Sequence, residues 1–320
     1  MHMGVLRRLR CAALALTLAP ALAHAAPERG YGGVETAKGV VKPETDLAFG
    51  AFQRGYFATA LKEAMARVTK NKHDGAAMAL IGEIYQQGLA VRPDPTEAAR
   101  WFRLAAEENN REGAFAYGMA LLEGKGVAKD RGAARAQFEK AAAQKHPGAL
   151  YNLGVMAVEG EVDKRDFVRA ADMFQRAADA GDVDALEALS ALYRQGRGVP
   201  QDLPKSIELL KKAADSKDAS AQVQYAILLF NGEGVSKDEA SAAKYFMKAA
   251  GVGNPIAENR LARIYAAGRG LDKNVVEAAR WHILARSAGI KDTWLDGILT
   301  TLSQGERKRV EDMVRQQLEF

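Results

Sequence analysis

Three histidines, His73, His146 and His282, are the side chains beyond the N-terminal segment best suited to hold a metal ion or move a proton near neutral pH. They lie far apart and at non-equivalent places in the repeat described below. A shared metal site is therefore not expected, and each is read as a surface or loop histidine. Ser241-Ala-Ala-Lys244 has the Ser-x-x-Lys spacing through which a lysine can activate a serine nucleophile. Its companions, Ser-Asp-Asn and Lys-Thr-Gly, are missing, and the tetrad falls where a helix opens. There is neither a phosphate loop nor a dinucleotide glycine fingerprint. The one cysteine is Cys11, which leaves no thiol chemistry, disulfide or Cys-based metal site for the remainder. Acids are plentiful, but the recurring ones are explained by helix capping. No catalytic residue, metal ligand or cofactor is assigned.

The elements that would have to position any site are repeats. Gly88, Gly124, Gly160, Gly196, Gly232 and Gly268 recur at intervals of 36 residues. Ala105, Ala141, Ala177, Ala213, Ala249 and Ala285 keep the same register, as do Asp94, Asp130, Asp166, Asp202 and Asp238, with Asn274 in the sixth copy. A small residue recurs at Gly82, Gly118, Gly154, Ser190, Ala226 and Ala262. A fixed period of this length signals stacked supersecondary units.

Each column has a physical task. Ile81, Gly82 and Tyr85 share one face of a first helix, where the small residue admits a close partner. Gly88 ends that helix in the left-handed conformation. The loop then reads Gly-x-Gly-Val at 124–127, 196–199 and 232–235, and Gly-x-Gly-Leu from Gly268. Copy one carries Ala90 for the second glycine, and copy three reads Gly160-Glu-Val162-Asp163; differently shaped loops are expected there. Asp94 is placed as N-cap of a second helix, with Pro95 and Glu97 completing the start. Ala98, Trp101, Phe102, Ala105 and Ala106 form that helix's apolar stripe. Neither helix buries its face alone, so successive pairs must stack.

The run Ile-Gly-x-x-Tyr, Gly-x-Gly-Val, Asp, Ala-x-x-Trp-Phe and paired alanine closely resembles the Sel-one-like repeat, a subgroup of tetratricopeptide-like repeats. The resemblance covers about residues 75–290. It implies an all-α fold, a right-handed α/α superhelical solenoid of six 36-residue helix-turn-helix repeats. The expected organisation is a signal peptide (1–25), a flexible leader (26–44), a degenerate capping helix pair hinged at Gly55 (45–74), six repeats (75–290) and C-terminal capping helices (291–320). In the last segment Ser303 and Glu306 form a capping box, with Val310, Met313, Val314 and Leu318 on the inner face of the helix they start.

The N-terminal address rests on Arg7, Arg8 and Arg10, the apolar run Cys11–Ala23 and the small-x-small sequence Ala23-His24-Ala25. Removing residues 1–25 takes three of the 45 basic residues and no acid, leaving 42 against 40, a net of +2. Such a balance gives no electrostatic reason to expect nucleic acid. No later stretch is apolar for long enough to span a bilayer. A periplasmic or secreted protein is expected.

Geometry carried over from the family turns certain first-helix positions towards a concave face that touches partners. They are Phe115, Met119 and Leu122 in repeat two, Tyr151, Val155 and Val158 in repeat three, and Val223, Ile227 and Phe230 in repeat five. Glu83, Gln86, Glu187, Arg194, Asn259 and Arg263 would form a polar rim. Two arrangements fit: an apolar patch on the surface, or side chains packed between neighbouring helices. The leading functional expectation is a non-catalytic adaptor or regulator that binds proteins of the cell envelope. An envelope enzyme or β-lactam-binding protein is the first alternative, since a cysteine-rich branch of the family is linked to β-lactams; the absence of cysteines opposes it. A self-assembling structural scaffold is the second.

Overall fold

The computed structural model describes residues 46–160 and 164–318. The expected export segment and leader, and loop residues 161–163 of repeat three, lie outside the described residues. Among those described there are sixteen helices and no strand. An N-terminal pair, α1 (Leu47–Gln53) and α2 (Phe57–Lys70), precedes the repeats. The repeat pairs are α3 (Gly75–Gln87) with α4 (Pro95–Glu107), α5 (Arg111–Glu123) with α6 (Arg131–Ala143), and α7 (Pro147–Glu159) with α8 (Phe167–Asp179). They continue as α9 (Val183–Gln195) with α10 (Leu203–Asp215), α11 (Ala219–Asn231) with α12 (Glu239–Gly251), and α13 (Pro255–Ala267) with α14 (Val275–Ser287). Helices α15 (Thr293–Thr301) and α16 (Gln304–Leu318) close the chain. The helices fall into two compact units, one ending at Asp130 and one starting at Arg131, so the boundary lies inside repeat two. Within each unit adjacent helix pairs pack in solenoid fashion.

Every first helix of a repeat leaves through a glycine at positive φ, between 63° and 76°. The Asp column does two jobs rather than one. Each side chain with a described cap accepts backbone N–H groups of its second helix, as Asp202 does from Lys205 (2.8 Å) and Asp238 from Ser241 (2.9 Å). Each backbone N–H of the column also donates to the first-helix carbonyl nine residues earlier, at 2.8–3.0 Å, from Asp94 to Tyr85 through Asn274 to Tyr265. The Asp94 N–H is thereby engaged, and Glu97 pairs with Arg100 (3.2 Å) instead of completing a reciprocal capping box.

A second column caps the first helices: Asp74, Asn110, His146, Asp182, Asp218 and Asn254 each accept from backbone N–H groups near the helix start. Their own N–H groups, from Asn110 onward, donate to the carbonyls of the buried alanines Ala105, Ala141, Ala177, Ala213 and Ala249 at 2.9–3.3 Å. All of those alanines have no exposed surface. The small column is equally constrained. A β-carbon on Gly82 would sit 2.6 Å from Phe102, and one on Gly154 2.6 Å from Phe174. Where Ser190 replaces glycine, its hydroxyl meets Ser206 in the neighbouring helix (2.7 Å to the carbonyl, 2.9 Å to the hydroxyl), so the buried polar atom is satisfied.

In the first unit α1, α2 and α3 share a core of Ala48, Ala51, Ala60, Ala64, Ile81 and Ile84. Arg67 binds both Asp46 (2.7 Å) and Asp74 (2.9 Å), tying two N-cap residues together. Ala90, in place of the second loop glycine, takes the same positive φ of 63°. Gly126 needs to be glycine for another reason, because a β-carbon there would overlap the Pro95 carbonyl at 1.8 Å. Ala90 is exposed and escapes that clash.

In the second unit Ser303 and Glu306 form the expected capping box: the Ser303 N–H donates to Glu306 (2.8 Å) and the Glu306 N–H to Ser303 Oγ (3.3 Å). Val310, Leu302 and Val276 pack together, with Met313 and Val314 against them. Leu318 is 65% exposed and does not join the inner face. The histidines depart from the expectation of surface positions. His73 is exposed, but His146 is buried as a cap and His282 has no exposed surface at all. His282 lies one period after Phe246 in the column of Phe102, Phe138 and Phe174, so it inherits a core position; its Nε2 meets Asp296 at 2.8 Å.

Candidate protein-interaction site

Of the nine side chains expected on the first-helix face, Phe115, Met119 and Leu122 belong to the first unit, where all three are partly buried on α5. The other six belong to the second unit. Tyr151 packs on Phe174 of its own repeat, ring centroids 5.6 Å apart. Val155 and Val158 are partly buried on α7. Val223 is only 6% exposed and is core. Ile227 and Phe230 are the two that the fold brings together with other groups into a cavity.

That cavity, about 240 Å³, lies between α11, α13 and α15. Its floor is Phe246, buried on α12, and Ile264 of α13. Ile227 and Phe230 form one wall; Arg260, Arg263 and Ala267 form the other, with Arg269 from the loop after α13. Trp294, at the start of α15 and 50% exposed, stands at the rim. Arginine lies on aromatic faces at two points: Arg269 over Phe230, 4.2 Å from the centroid, and Arg263 over Trp294 at 5.4 Å.

Two of the arginines are held in place by carboxylates. Arg263 makes a two-point pair with Asp292 (2.6 and 2.9 Å), to which Asn259 also donates (2.9 Å). Burial of Asp292 would raise its pKa, but these hydrogen bonds outweigh burial and hold the carboxyl below its usual range. Arg269 donates to Glu239, as does Lys237 (2.9 Å), and these bonds bring the Glu239 carboxyl down to about 2. Arg260 is exposed and has no ion-pair partner among the described residues.

Two repeats earlier the same helical face is acidic. Glu187 of α9 accepts from Gln224 (2.5 Å) and Ser220 (3.2 Å) of α11. Burial pushes the pKa of Glu187 up, and Asp218 and Asp184 add to the rise. Asp182 and Asp184 are also raised, chiefly by burial, and for Asp184 then by its acidic neighbours. Tyr151 is raised by burial and by the same acids.

The Ser-x-x-Lys tetrad is accounted for by helix capping. Ser241 hydrogen-bonds to Asp238 at the start of α12, and Lys244 is exposed. Among the described residues no group of three or more His, Asp or Glu is placed to hold a metal ion. Nor is any helix among them long and apolar enough to cross a membrane.

The repeat register in the sequence points to Ile227, Phe230 and, as rim, Arg263. It does not point to Arg260, Arg269 and Trp294, because a register carried from one repeat to the next cannot show what adjacent repeats and a terminal cap enclose together. The clustering of Arg260, Arg263 and Arg269 within ten residues was the available signal.

The Sel1 repeat family model matches six consecutive segments, 75–110, 111–146, 147–182, 183–218, 219–254 and 255–290. Among solved structures, a Sel1 repeat protein from Oxalobacter formigenes is 32% identical, with a TM-score of 0.68 over 75% of this chain and 98% of that one. A protective antigen of uropathogenic Escherichia coli, described as displaying an SLR fold, is 21% identical over 86% of this chain and 69% of its own, with a TM-score of 0.49. A comparison with curated proteins gives no match. Sel1 repeat folds are typically non-enzymatic and generally serve as protein-interaction scaffolds. With six matched segments in unbroken register, the chain belongs to the Sel1 repeat family.

Proposed function

We propose that the protein is a non-catalytic adaptor or regulator of the cell envelope, exported through cleavage after Ala25 or Ala26, that binds proteins on its first-helix face. The observation that carries this reading is the cavity between α11, α13 and α15. It combines partly exposed aromatic surface with arginines already oriented by carboxylates, a composition typical of protein interfaces. The export sequence supports the compartment, since the Arg-flanked apolar run is followed by a small-x-small site.

The test uses photo-crosslinking in cells. A photoreactive residue at Phe230 or Ile227 should give discrete adducts with other proteins, whereas one at exposed Lys211 of α10 should not. Equal labelling from both faces would remove the assignment. N-terminal sequencing of the native protein should begin at Ala26 or Pro27; a native chain that starts at Met1 would overturn the export argument.

A further inference from the structure

We propose that the cavity between α11, α13 and α15 is a binding site for an acidic peptide segment, one carboxylate side chain beside an apolar or aromatic one. This rests on the reading of the first-helix face as a protein-binding surface and specifies the partner's chemistry.

The charge arrangement selects the ligand. Three guanidinium groups line a cavity of about 240 Å³, and the two nearby carboxylates are engaged by Arg263 and Arg269. Arg260 is left over, a cation with no ion-pair partner among the described residues. A carboxylate entering the cavity supplies the missing charge. It needs no rearrangement of the other two arginines, because Asp292 and Glu239 keep them fixed while 46% of each arginine side chain stays exposed. Preorganised donors lower the entropic cost of binding.

The apolar part of the cavity selects the neighbouring residue. Phe230 and Trp294 each already carry an arginine on one face, Ile227 adds an aliphatic wall, and Ile264 and Phe246 supply the floor. A side chain of Phe or Leu size adjacent to the carboxylate would cover this surface. The volume accommodates one or two side chains, so the recognised unit is a short segment and not a folded domain. A bare phosphate or a nucleic-acid backbone would leave the apolar floor uncovered.

The experiment measures fluorescence anisotropy with the full mature chain and a labelled, C-terminally amidated peptide Gly-Ser-Glu-Phe-Gly-Ser. The Glu-containing peptide should bind about tenfold more tightly than its Gln counterpart, and more weakly as salt is raised. Arg260→Ala and Phe230→Ala should each weaken it by about tenfold, with thermal melts showing the variants folded. Arg260→Glu should prefer the same peptide with Lys in place of Glu. Inorganic phosphate at millimolar concentration should fail to compete. No binding, equal binding of the Glu and Gln peptides, indifference to Arg260→Ala, or full competition by phosphate would each overturn the proposal. Photo-crosslinks from Phe230 that persist despite such a failure would leave the broader adaptor reading intact, so the two can fail separately.

Discussion

The α9–α11 acidic face and the α11–α13 basic cavity are built on one frame and carry opposite chemistry. In both, a first helix starts on a side-chain cap (Asp182 or Asn254), runs for 13 residues and leaves through a glycine at positive φ (Gly196 or Gly268). In both, the alanine whose carbonyl receives the cap's N–H is fully buried. The opposite charges sit at positions between the columns: Asp184 and Glu187 in one, Arg260 and Arg263 in the other. A repeat holds its columns for packing and leaves the rest free to specify a ligand. Variants should therefore divide into those that break the shared frame and those that alter only what it displays.

The largest effect is expected from the frame. Phe246 is buried to 2% beneath the cavity, and Phe246→Ala should cost about 3–5 kcal/mol in chemical denaturation. Phe230→Ala, partly buried on the cavity wall, should cost only about 1–2 kcal/mol, in keeping with its smaller buried area. Equal losses would make Phe230 a core residue and erase the distinction.

A second frame variant is Gly198→Ala. The β-carbon would lie 2.0 Å from the Phe167 carbonyl in a backbone with φ of 71°, so a loss of about 3 kcal/mol is expected from overlap and strain together. At the equivalent position of repeat one, Ala90→Gly should be neutral or stabilising by up to about 1 kcal/mol, because the strain is relieved and no clash existed. A smaller effect belongs to the caps: Asp202→Ala should cost about 1 kcal/mol through its lost side-chain bond, since the backbone tie to Tyr193 survives.

The subtlest test is pH. The raised carboxyls Asp182, Asp184 and Glu187 take up protons more readily in the folded state. Their contribution is therefore most favourable below the unfolded values of 3.8 and 4.5, and is lost as pH rises through their folded values. Asp292 and Glu239 behave oppositely: their stabilisation is present above the unfolded values and disappears as pH falls through the lowered folded ones. Glu187→Gln, which retains an acceptor for Gln224, should raise the melting temperature slightly at pH 7 and lose that advantage near pH 4. A variant that melts lower than wild type at pH 7 would show that the Glu187 charge is stabilising, against this account.

The frame was legible in the sequence because each of its parts recurs. The glycine exits, buried alanines and second-helix caps could be read from six copies at one spacing. The first-helix caps recur just as regularly, but Asp, Asn and His alternate there, so the column is visible only when capping ability rather than residue type is compared. His282 illustrates the same point, since its register assigns it to a phenylalanine column that its polarity argues against. The cavity was only partly legible. Ile227, Phe230 and Arg263 followed from register, whereas the enclosure by Trp294 depends on α15, which belongs to no repeat.

The most direct measurement is a matched pair of melts and crosslinks on Phe230→Ala and Arg260→Ala in the full mature chain, with the photoreactive residue placed at Ile227. The account predicts a melt close to wild type for Arg260→Ala, a modestly lowered one for Phe230→Ala, and loss of the adducts in both variants. Adducts that persist in both, or their loss accompanied by a melt lowered as far as that of Phe246→Ala, would contradict the claim that this face displays a binding site on an independent frame.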